Sequence, residues 1–463
     1  MTELTQSERV DFAVPEWRAL LSLGWPMMAT QFFIMATGFL DTVMAGRYGA
    51  ADLAGVHIAG NVMWPLFLLL TGVTMALTPI VSQLRGADQL HHAATRVRQG
   101  LWLSAGTSLL LVLAIRNTDA FYEFVGLDAE VIRVATGYLQ AVSWGIPAVV
   151  IYVTLRQVCE GLGNTVPPMI IAGSVLPVNA VLNYGLIYGR WGLPELGGVG
   201  CGYATAVVFW LELLMMLYFV RRPFFKRLGV FDRFERPRMQ SITSIVRLGA
   251  PIGFSIFLEM AVFSVISLLI GRIGVVELAA HSVVGNINWL TYVLPMGLGA
   301  AAGIRVGYFV GRDDLGAARH AAAIAMRLAF IYGVLVSVLL VLFRAELVSL
   351  YTKDAAVIPT ALALIVFVAI YQIVDDANAV AIGALRGYKD TQAPMYYGLI
   401  GFWIIALPLG VALAYGWLGW QPLGVYGYWS GLAVGLFLVA MASSLRLWRT
   451  SADRERIIAL STY

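Results

Sequence analysis

The sequence has little charge for its length, and this shortage determines which environment the chain can occupy. Charged residues make up 13% of its 463 residues, and hydrophobic residues make up 59%. A water-soluble domain carries about 25% charged residues, so this chain cannot cover a surface that faces water on all sides. Apolar runs of about 20 residues, the length of a helix that crosses a hydrocarbon core, recur along the whole chain. The composition therefore indicates a protein that crosses the membrane many times.

Lysine and cysteine are scarce as well, and their positions exclude several kinds of chemistry. None of Lys226, Lys353 and Lys389 follows a glycine, so the chain has no Walker A loop to bind the phosphates of ATP. Cys159 and Cys201 do not have the paired spacing of a metal or redox motif. The motifs H-E-x-x-H and G-x-S-x-G are also absent. We expect no enzymatic activity, no cofactor, no ATPase partner and no nucleic-acid partner.

The apolar runs predict an all-α protein with twelve membrane spans. They are continuous and rich in Gly, Ala and Leu, whereas the strands of a lipid-spanning barrel are short and alternating. The first residues carry several acids and no basic segment before an apolar one, so we expect no signal peptide and a retained first helix. The predicted spans are 20–45, 53–84, 99–116, 130–153, 166–188, 200–220, 249–270, 278–309, 321–343, 356–383, 394–416 and 424–446.

The distribution of basic residues predicts the orientation of these spans. Lys and Arg accumulate on the cytoplasmic side of membrane proteins, and the chain has 31 of them. With the N-terminus inside, only seven fall in outside segments: Arg47, Arg116, Arg133, Arg190, Arg272, Arg344 and Lys353. We therefore expect both termini in the cytoplasm.

The chain contains an internal repeat. LGWP at 23–26 matches LGAP at 248–251, and Gly46-Arg47 matches Gly271-Arg272 at the same offset. Each copy holds six spans, so the copies share one orientation and are related by an axis along the membrane normal. The predicted segments are a cytoplasmic N-terminus (1–19), an N-lobe (20–220), a basic linker (221–247), a C-lobe (248–446) and a cytoplasmic tail (447–463).

A few acidic residues interrupt the apolar runs and are the candidate functional residues. A carboxylate in lipid costs roughly 2.5–3.5 kcal/mol even on the mild insertion scale, so such a residue usually faces a cavity or a partner. In the N-lobe, Asp41 closes the first span, and Asn179 and Asn183 share one face of the fifth span. Their amide oxygens could complete a proton or hard-cation site with Asp41, or they could bond neighbouring helices. An interfacial, solvated Asp41 is the main alternative.

The C-lobe carries three further acids. Glu259 lies in the middle of the seventh span, and Asp375 and Asp376 are adjacent in the tenth. Adjacent residues on a helix point about 100° apart, so both cannot face one site. Tyr371 lies one turn before Asp375 and could orient it, and Asp375 is therefore favoured over Asp376. The alternative for each aspartate is a polar contact between helices.

Two histidines lie near the outer ends of spans. His57 in the second span and His281 in the eighth are interpreted as packed, hydrogen-bonded residues. A pH-sensing role is the alternative.

These motifs together resemble the MATE family of multidrug exporters, and its bacterial NorM branch in particular. The resemblance rests on FLDTVMAG at 39–46, PVNAVLNYG at 177–185 and YQIVDDANAVAIGALRGYKDT at 371–391. It implies a V-shaped pair of six-helix bundles in a bacterial inner membrane. It also implies export of cationic or amphiphilic drugs and dyes against inward Na⁺ or H⁺.

The resemblance also implies roles for the candidate residues. Asp41, Asn179 and Asn183 would form a polar N-lobe site. Glu259, Asp375 and Tyr371 would form the C-lobe cation site, where Glu259 and Asp375 could hold Na⁺. Asp376 matches no acid of the family, so its share of the work with Asp375 stays open.

Other functions fit the residues less well. A flippase for lipid-linked precursors would carry a strongly cationic cavity, whereas the mid-span charges here are acidic. An intramembrane enzyme would need a paired catalytic set, and a channel would not need a duplicated build. Because the repeat supplies both lobes, we expect one chain to be a complete transporter with small molecules and lipid as its partners.

Overall fold

The computed structural model describes residues 14–125, 128–222, 225, 228–417, 419 and 421–461. Within these ranges the chain is helical and contains no strand. Eleven helices are long and apolar enough to cross a membrane, and a bent pair makes a twelfth if it is counted as one span. Helices are expected because backbone groups in lipid must find their hydrogen-bond partners within the protein. The chain is an integral, multi-pass membrane protein, as predicted.

The spanning helices are labelled in chain order, with the bent pair as α4. They are α1 Glu16–Tyr48, α2 Ala50–Gly86, α3 Leu90–Arg116, α4 Ala129–Ser143 with Ile146–Gly161, α5 Val166–Tyr188, α6 Gly198–Val220, α7 Met239–Gly271, α8 Val275–Gly311, α9 Leu315–Leu342, α10 Val357–Gly387, α11 Gln392–Tyr415 and α12 Val425–Ala452.

The observed helices extend most of the predicted spans by a few residues and three of them by more, among them α4, which ends at Gly161 rather than at 153. α7 begins at Met239, so its first turns lie in the stretch 221–247 that the sequence indicated as a linker. α3 begins at Leu90 rather than at 99. The added turns of α3 and α7 carry charged or polar side chains, so a prediction from hydropathy alone leaves them outside the span. Most of the predicted N-terminal segment 1–19 lies outside the described residues.

α4 is bent by 56° between its two segments. The bend contains Gly145, and Pro147 follows at the start of the second segment. A Cβ on Gly145 would lie 2.7 Å from the Cα of Ala206 on α6. Glycine is therefore needed where the bent helix approaches α6, and the proline begins the new segment because it needs no hydrogen-bond acceptor there.

The chain divides into two compact units. Residues 29–253 form one, called the N-unit, and residues 14–28 with 254–461 form the other, called the C-unit. The division falls inside α1 and inside α7, so each of these long helices contributes to both units. In the C-unit, Gly24 of α1 packs against the backbone of Gly297 on α8. In the N-unit, Gly253 of α7 packs against Gly72 on α2.

Each unit has its own apolar core. In the N-unit one cluster joins helices α2 to α7 and includes Met63, Leu77, Leu139 and Phe209. The C-unit has two clusters, one around Trp429 and Tyr371 and one around Leu20 and Ala301.

Backbone geometry repeats between the halves. Asp88 and Asp313 occupy equivalent loops, and their φ angles are 56° and 58°. Gly161 and Gly387 are also equivalent. A Cβ on Gly161 would lie 2.8 Å from the backbone carbonyl oxygen of Thr78, and a Cβ on Gly387 would lie 2.6 Å from that of Gly303. Close helix contacts through small residues are typical of membrane proteins, and both halves use them at the same place.

Candidate functional site

The structure brings Asp41, Asn179 and Asn183 together inside the N-unit. Asn183 Nδ2 donates to Asp41 Oδ1 at 2.5 Å and to Asn179 Oδ1 at 2.9 Å. Asn179 and Asn183 are fully buried, and Asp41 is 7% exposed. This exposure argues against an interfacial, solvated Asp41. The cluster, called the N-site, holds a carboxyl group against two amides within the bundle.

Thr205 also belongs to the N-site, although no sequence pattern selects it. Thr205 lies on α6, and its hydroxyl donates a hydrogen bond to Asp41 Oδ2 at 3.3 Å. Two amide atoms, Asn179 Nδ2 and Asn183 Oδ1, are buried without a hydrogen-bond partner. A free donor and a free acceptor beside one carboxyl group could receive a proton, an ion or a polar ligand atom. A hydroxyl on a glycine-rich apolar helix carries no signal of such a role.

Glu259, Asp375 and Tyr371 lie in the C-unit and form a second cluster, called the C-site. Asp375 and Tyr371 are each 3% exposed, and Glu259 is partly buried. The carboxyl groups of Glu259 and Asp375 are near enough for their charges to interact. None of the described residues forms a hydrogen bond with Asp375 Oδ1. The C-site therefore combines two acids, of which one is buried with an unpaired oxygen.

Aromatic rings surround the C-site. Tyr371 packs edge-on against Trp429, with ring centroids 6.3 Å apart. Trp429 packs in turn against His281, whose Nε2 lies 2.9 Å from the Ser267 hydroxyl. Tyr292 of α8 is close enough to interact with the charges of Glu259 and Asp375. His281 is 6% exposed, in keeping with its interpretation as a packed residue.

Three further residues lie outside or beside these clusters. His57 is exposed and contacts Asn61 at 3.3 Å, so it is hydrogen-bonded but not packed. Arg386 is close enough to Glu259 for their charges to interact, which places a cation near the C-site. Asp376 has a separate pocket of its own, in which it accepts a hydrogen bond from Gln372.

A further charged cluster in the N-unit was missed by sequence reasoning. Arg156 Nε lies 3.1 Å from Glu160 Oε1 one turn along α4. Glu212 of α6 is 7% exposed and interacts with the charge of Arg156. Tyr152 is 2% exposed, and its hydroxyl has no partner. The sequence could have indicated the i, i+4 spacing of Arg156 and Glu160, but Arg156 was interpreted only as a marker of the cytoplasmic side.

The fold and the buried acidic sites define a membrane transporter. The MatE family model matches residues 26–185 and 251–412, once in each half and over more than half of the chain. The chain therefore belongs to this family, the MATE transporters, and the predicted resemblance is confirmed. The two matches also agree with the internal repeat.

Relatives match almost the whole chain. It is 36% identical over 449 residues to the multidrug resistance protein MdtK of Proteus mirabilis (strain HI4320), covering 96% of this chain and 98% of that protein. It is 37% identical over 433 residues to the multidrug resistance protein NorM of Vibrio cholerae serotype O1 (strain ATCC 39315 / El Tor Inaba N16961), covering 93% and 94%.

Solved structures share the fold. The eukaryotic MATE transporter AtDTX14 aligns with a TM-score of 0.85 at 21% identity, covering 96% of this chain and 99% of that one. The Vibrio cholerae MATE transporter VcmN in its bent form aligns with a TM-score of 0.84 at 17% identity, covering 94% and 97%. The architecture of twelve helices in a MATE-type fold is therefore confirmed.

Proposed function

We propose that the protein exports cationic and amphiphilic drugs and dyes by antiport with Na⁺ or H⁺ moving inward. The observation that carries this proposal is the C-site, where Asp375 is buried beside Glu259 and one of its oxygens has no partner. The relatives that match the chain are named for multidrug resistance. No ATP-binding motif is present in the sequence, so an ion gradient is the remaining source of energy.

The chemistry of exchange follows from the charge of the two acids. Without a bound ion, the ionised pair attracts a cation into a poorly solvated place. A bound proton or Na⁺ compensates one of the two negative charges and weakens the attraction for a cationic drug. Because ion and drug compete for the same negative charge, alternating exposure of the site to the two sides of the membrane gives exchange without a covalent step.

The aromatic residues around the C-site suit a flat organic cation. Tyr371 and Tyr292 are close enough to interact with the charges of both acids, and Trp429 packs edge-on against Tyr371. A cation over such a ring gains roughly 0.5–2 kcal/mol, more when it is desolvated. The substrate class we assign is therefore an amphiphilic cation with an aromatic or extended apolar part.

The N-site gives the second half a comparable but more polar group. Asp41 is bound by an amide and a hydroxyl, and free amide atoms lie beside it. We assign it a proton, an ion or the polar end of a substrate. Asp41, Asn179 and Asn183 thus act in the N-unit as Glu259, Asp375 and Tyr371 act in the C-unit.

The donor atoms limit the coupling ion. In the part of the chain that the structure describes, no group of three or more His, Cys, Asp or Glu side chains is placed to hold a metal ion. The C-site offers two acids and a phenol, which suit a proton or one Na⁺ rather than a divalent cation that needs six or more oxygen ligands.

We place the protein in the bacterial inner membrane with both termini in the cytoplasm, on the support of the arginine distribution. The repeat gives one chain both acidic sites, which supports a functional monomer. A flippase for lipid-linked diphosphates is the alternative, and the acidic character of the buried sites disfavours it.

Ethidium efflux from loaded right-side-out vesicles tests the proposal when a Na⁺ gradient and a pH gradient are imposed separately. Drive by Na⁺ alone would make the C-site a metal-ion site, and drive by pH alone would make its acids proton carriers. Vesicles with the Asp375→Asn, Glu259→Gln double variant at an equal membrane level are the control. No efflux of ethidium under either gradient would contradict antiport and favour the flippase.

A further inference from the structure

Asp376 occupies a pocket that is separate from the C-site. Asp375 and Asp376 are adjacent on α10, so their side chains leave the helix about 100° apart. The charge of Asp375 interacts with that of Glu259, whereas Asp376 lies against α9, where its Oδ2 is beside Gly333. Asp376 is fully buried. The family's motifs assign no role to Asp376, so we infer its role from the residues that surround it.

The pocket satisfies one carboxyl oxygen and leaves the other free. Gln372 Nε2 donates to Asp376 Oδ1 at 2.6 Å. Asp376 Oδ2 has no hydrogen-bond partner among the described residues. A Cβ on Gly333 would lie 2.9 Å from Oδ2, so the absence of a side chain at this position leaves room for the carboxyl group. The free oxygen is thus enclosed between two helices.

Gln372 is itself held in place by a short hydrogen-bond chain. The Thr291 hydroxyl donates to Gln372 Oε1 at 2.8 Å, which fixes the amide so that its nitrogen faces Asp376. The Tyr332 hydroxyl donates to the Thr291 carbonyl oxygen at 2.8 Å. These hydrogen bonds connect α8, α9 and α10 around the Asp376 carboxyl group. Among the described residues, they leave Asp376 Oδ2 without a partner.

The charges near the pocket are acids and phenols. Asp375 on the same helix, Tyr292 on α8 and Tyr332 on α9 are the titratable groups that interact with Asp376. None of them can supply a positive charge. An ionised carboxylate with one hydrogen bond and no cation is an uncompensated buried charge, which is strongly unfavourable. A proton on Oδ2 removes that charge at the atom that has no other partner.

We infer that Asp376 is a second proton-binding site of the C-unit, distinct from the Glu259–Asp375 pair. With the proton bound, Asp376 adds no repulsion, so Asp375 can ionise and attract a cation. When a cation then neutralises the C-site, the ionisation of Asp376 becomes less unfavourable and its proton can leave. Binding at the C-site and proton release at Asp376 are therefore coupled through the charge of Asp375.

Infrared spectroscopy of the purified full-length protein tests for this proton without any transport. A protonated carboxyl group has a C=O stretching band that a carboxylate lacks. We expect Asp376→Asn to remove one such band near neutral pH, and Asp375→Asn to leave that band in place. A spectrum of Asp376→Asn with the same carboxyl bands as the unmodified protein would overturn the inference.

Gln372→Leu provides a second variant that keeps the carboxyl group. The hydrogen bond from Gln372 weakens the C=O bond of Asp376, so its loss should move the band to higher frequency. A band that does not move would place the proton on another residue and would also overturn the inference. Size exclusion in detergent confirms that both variants are folded before their spectra are compared.

The consequence for transport rests on the proposed antiport. In energised vesicles, Asp376→Asn should lower the number of protons exchanged per ethidium by about one, because one coupled site is lost. An unchanged number in Asp376→Asn would overturn the coupling. Failure of the two ideas is distinguishable: absent efflux in the unmodified protein contradicts antiport, whereas an absent infrared band contradicts only the role of Asp376.

Discussion

The two halves hold their buried acids in opposite ways. Asp41 of the N-unit receives hydrogen bonds from Asn183 and Thr205, whereas Asp375 of the C-unit has an oxygen without any partner. A paired carboxyl group is stabilised where it lies, and an unpaired one depends on what binds to it. The repeat has therefore preserved helix packing while the chemistry of the halves has diverged.

Equivalent positions show how this divergence arises. Gly145, at the bend of α4, aligns with Tyr371 on α10. Glycine allows α4 to approach α6 and bend there. Tyrosine keeps α10 continuous and brings a ring beside the C-site. At this position the helix that bends has glycine, and the helix that carries a site has tyrosine.

The largest effect expected from this comparison concerns efflux. Asp375→Asn should lower the ethidium efflux rate at least about tenfold, because a lost coupling free energy of about 1.4 kcal/mol already has this effect. Asp41→Asn should have a smaller effect, since the Thr205 hydroxyl can still donate to the side-chain oxygen. Both rates are measured at equal membrane levels of protein. Equal efflux rates in Asp375→Asn and the unmodified protein would contradict the difference that we propose between the two halves.

A second difference concerns the buried arginines near the ends of the helices. In the N-unit, Arg98 donates to Glu235 and to the carbonyl oxygens of Gly229 and Val230. Its side chain is 9% exposed. Arg98→Met should lower the free energy of unfolding by about 3 kcal/mol, because it leaves a buried acid and two carbonyls less well paired. Thermal unfolding in detergent measures the loss.

An arginine–aspartate pair in the C-unit should contribute less to stability. Arg446 donates to Asp390 at 2.6 Å, but its side chain is 25% exposed, so Arg446→Met should cost only about 1–2 kcal/mol. Arg454→Met is the matched control, since the Arg454–Asp313 pair is exposed on both sides and should cost under about 1 kcal/mol. An order other than Arg98, Arg446, Arg454 would contradict the interpretation.

The smallest expected effect is a pH dependence at Glu235, which lies outside the spanning helices. Burial raises the pKa of Glu235, but the charges of Arg98 and Arg233 outweigh this effect and hold the pKa below its ordinary value of 4.5. The stabilisation is therefore complete above pH 4.5 and is lost as the pH falls through the lowered pKa. The difference in Tm between the unmodified protein and Glu235→Gln should shrink with acidification, and a constant difference would contradict this account.

Hydropathy and acid placement were enough to predict the helices and much of the candidate sites. The twelve spans follow from the length of the apolar runs, and Asn179 and Asn183 follow from helical spacing. What the sequence could not supply were partners that depend on three-dimensional packing. Thr205 contacts Asp41 from a helix 164 positions away in sequence, and no local pattern marks it.

Charge was interpreted too narrowly in the sequence. Arg156 and Arg98 count in the sequence only as residues of the cytoplasmic side, whereas in the structure both pair with buried acids. Hydropathy also excludes the start of α7, because its first turns are polar. For the two arginines, tertiary contacts supply the buried partner that the sequence does not show.

The division of α1 and α7 between the units has a consequence for the order of synthesis. Gly24 emerges from the ribosome early, yet the backbone it packs against belongs to Gly297, which is made hundreds of residues later. The first turns of α1 therefore stay in the membrane without their packing partner on α8 until most of the chain has been inserted. A gene cut within the linker would leave the start of α7 off the N-unit and the start of α1 off the C-unit, so each half would lack a helical segment of its own unit and could not complete its fold alone.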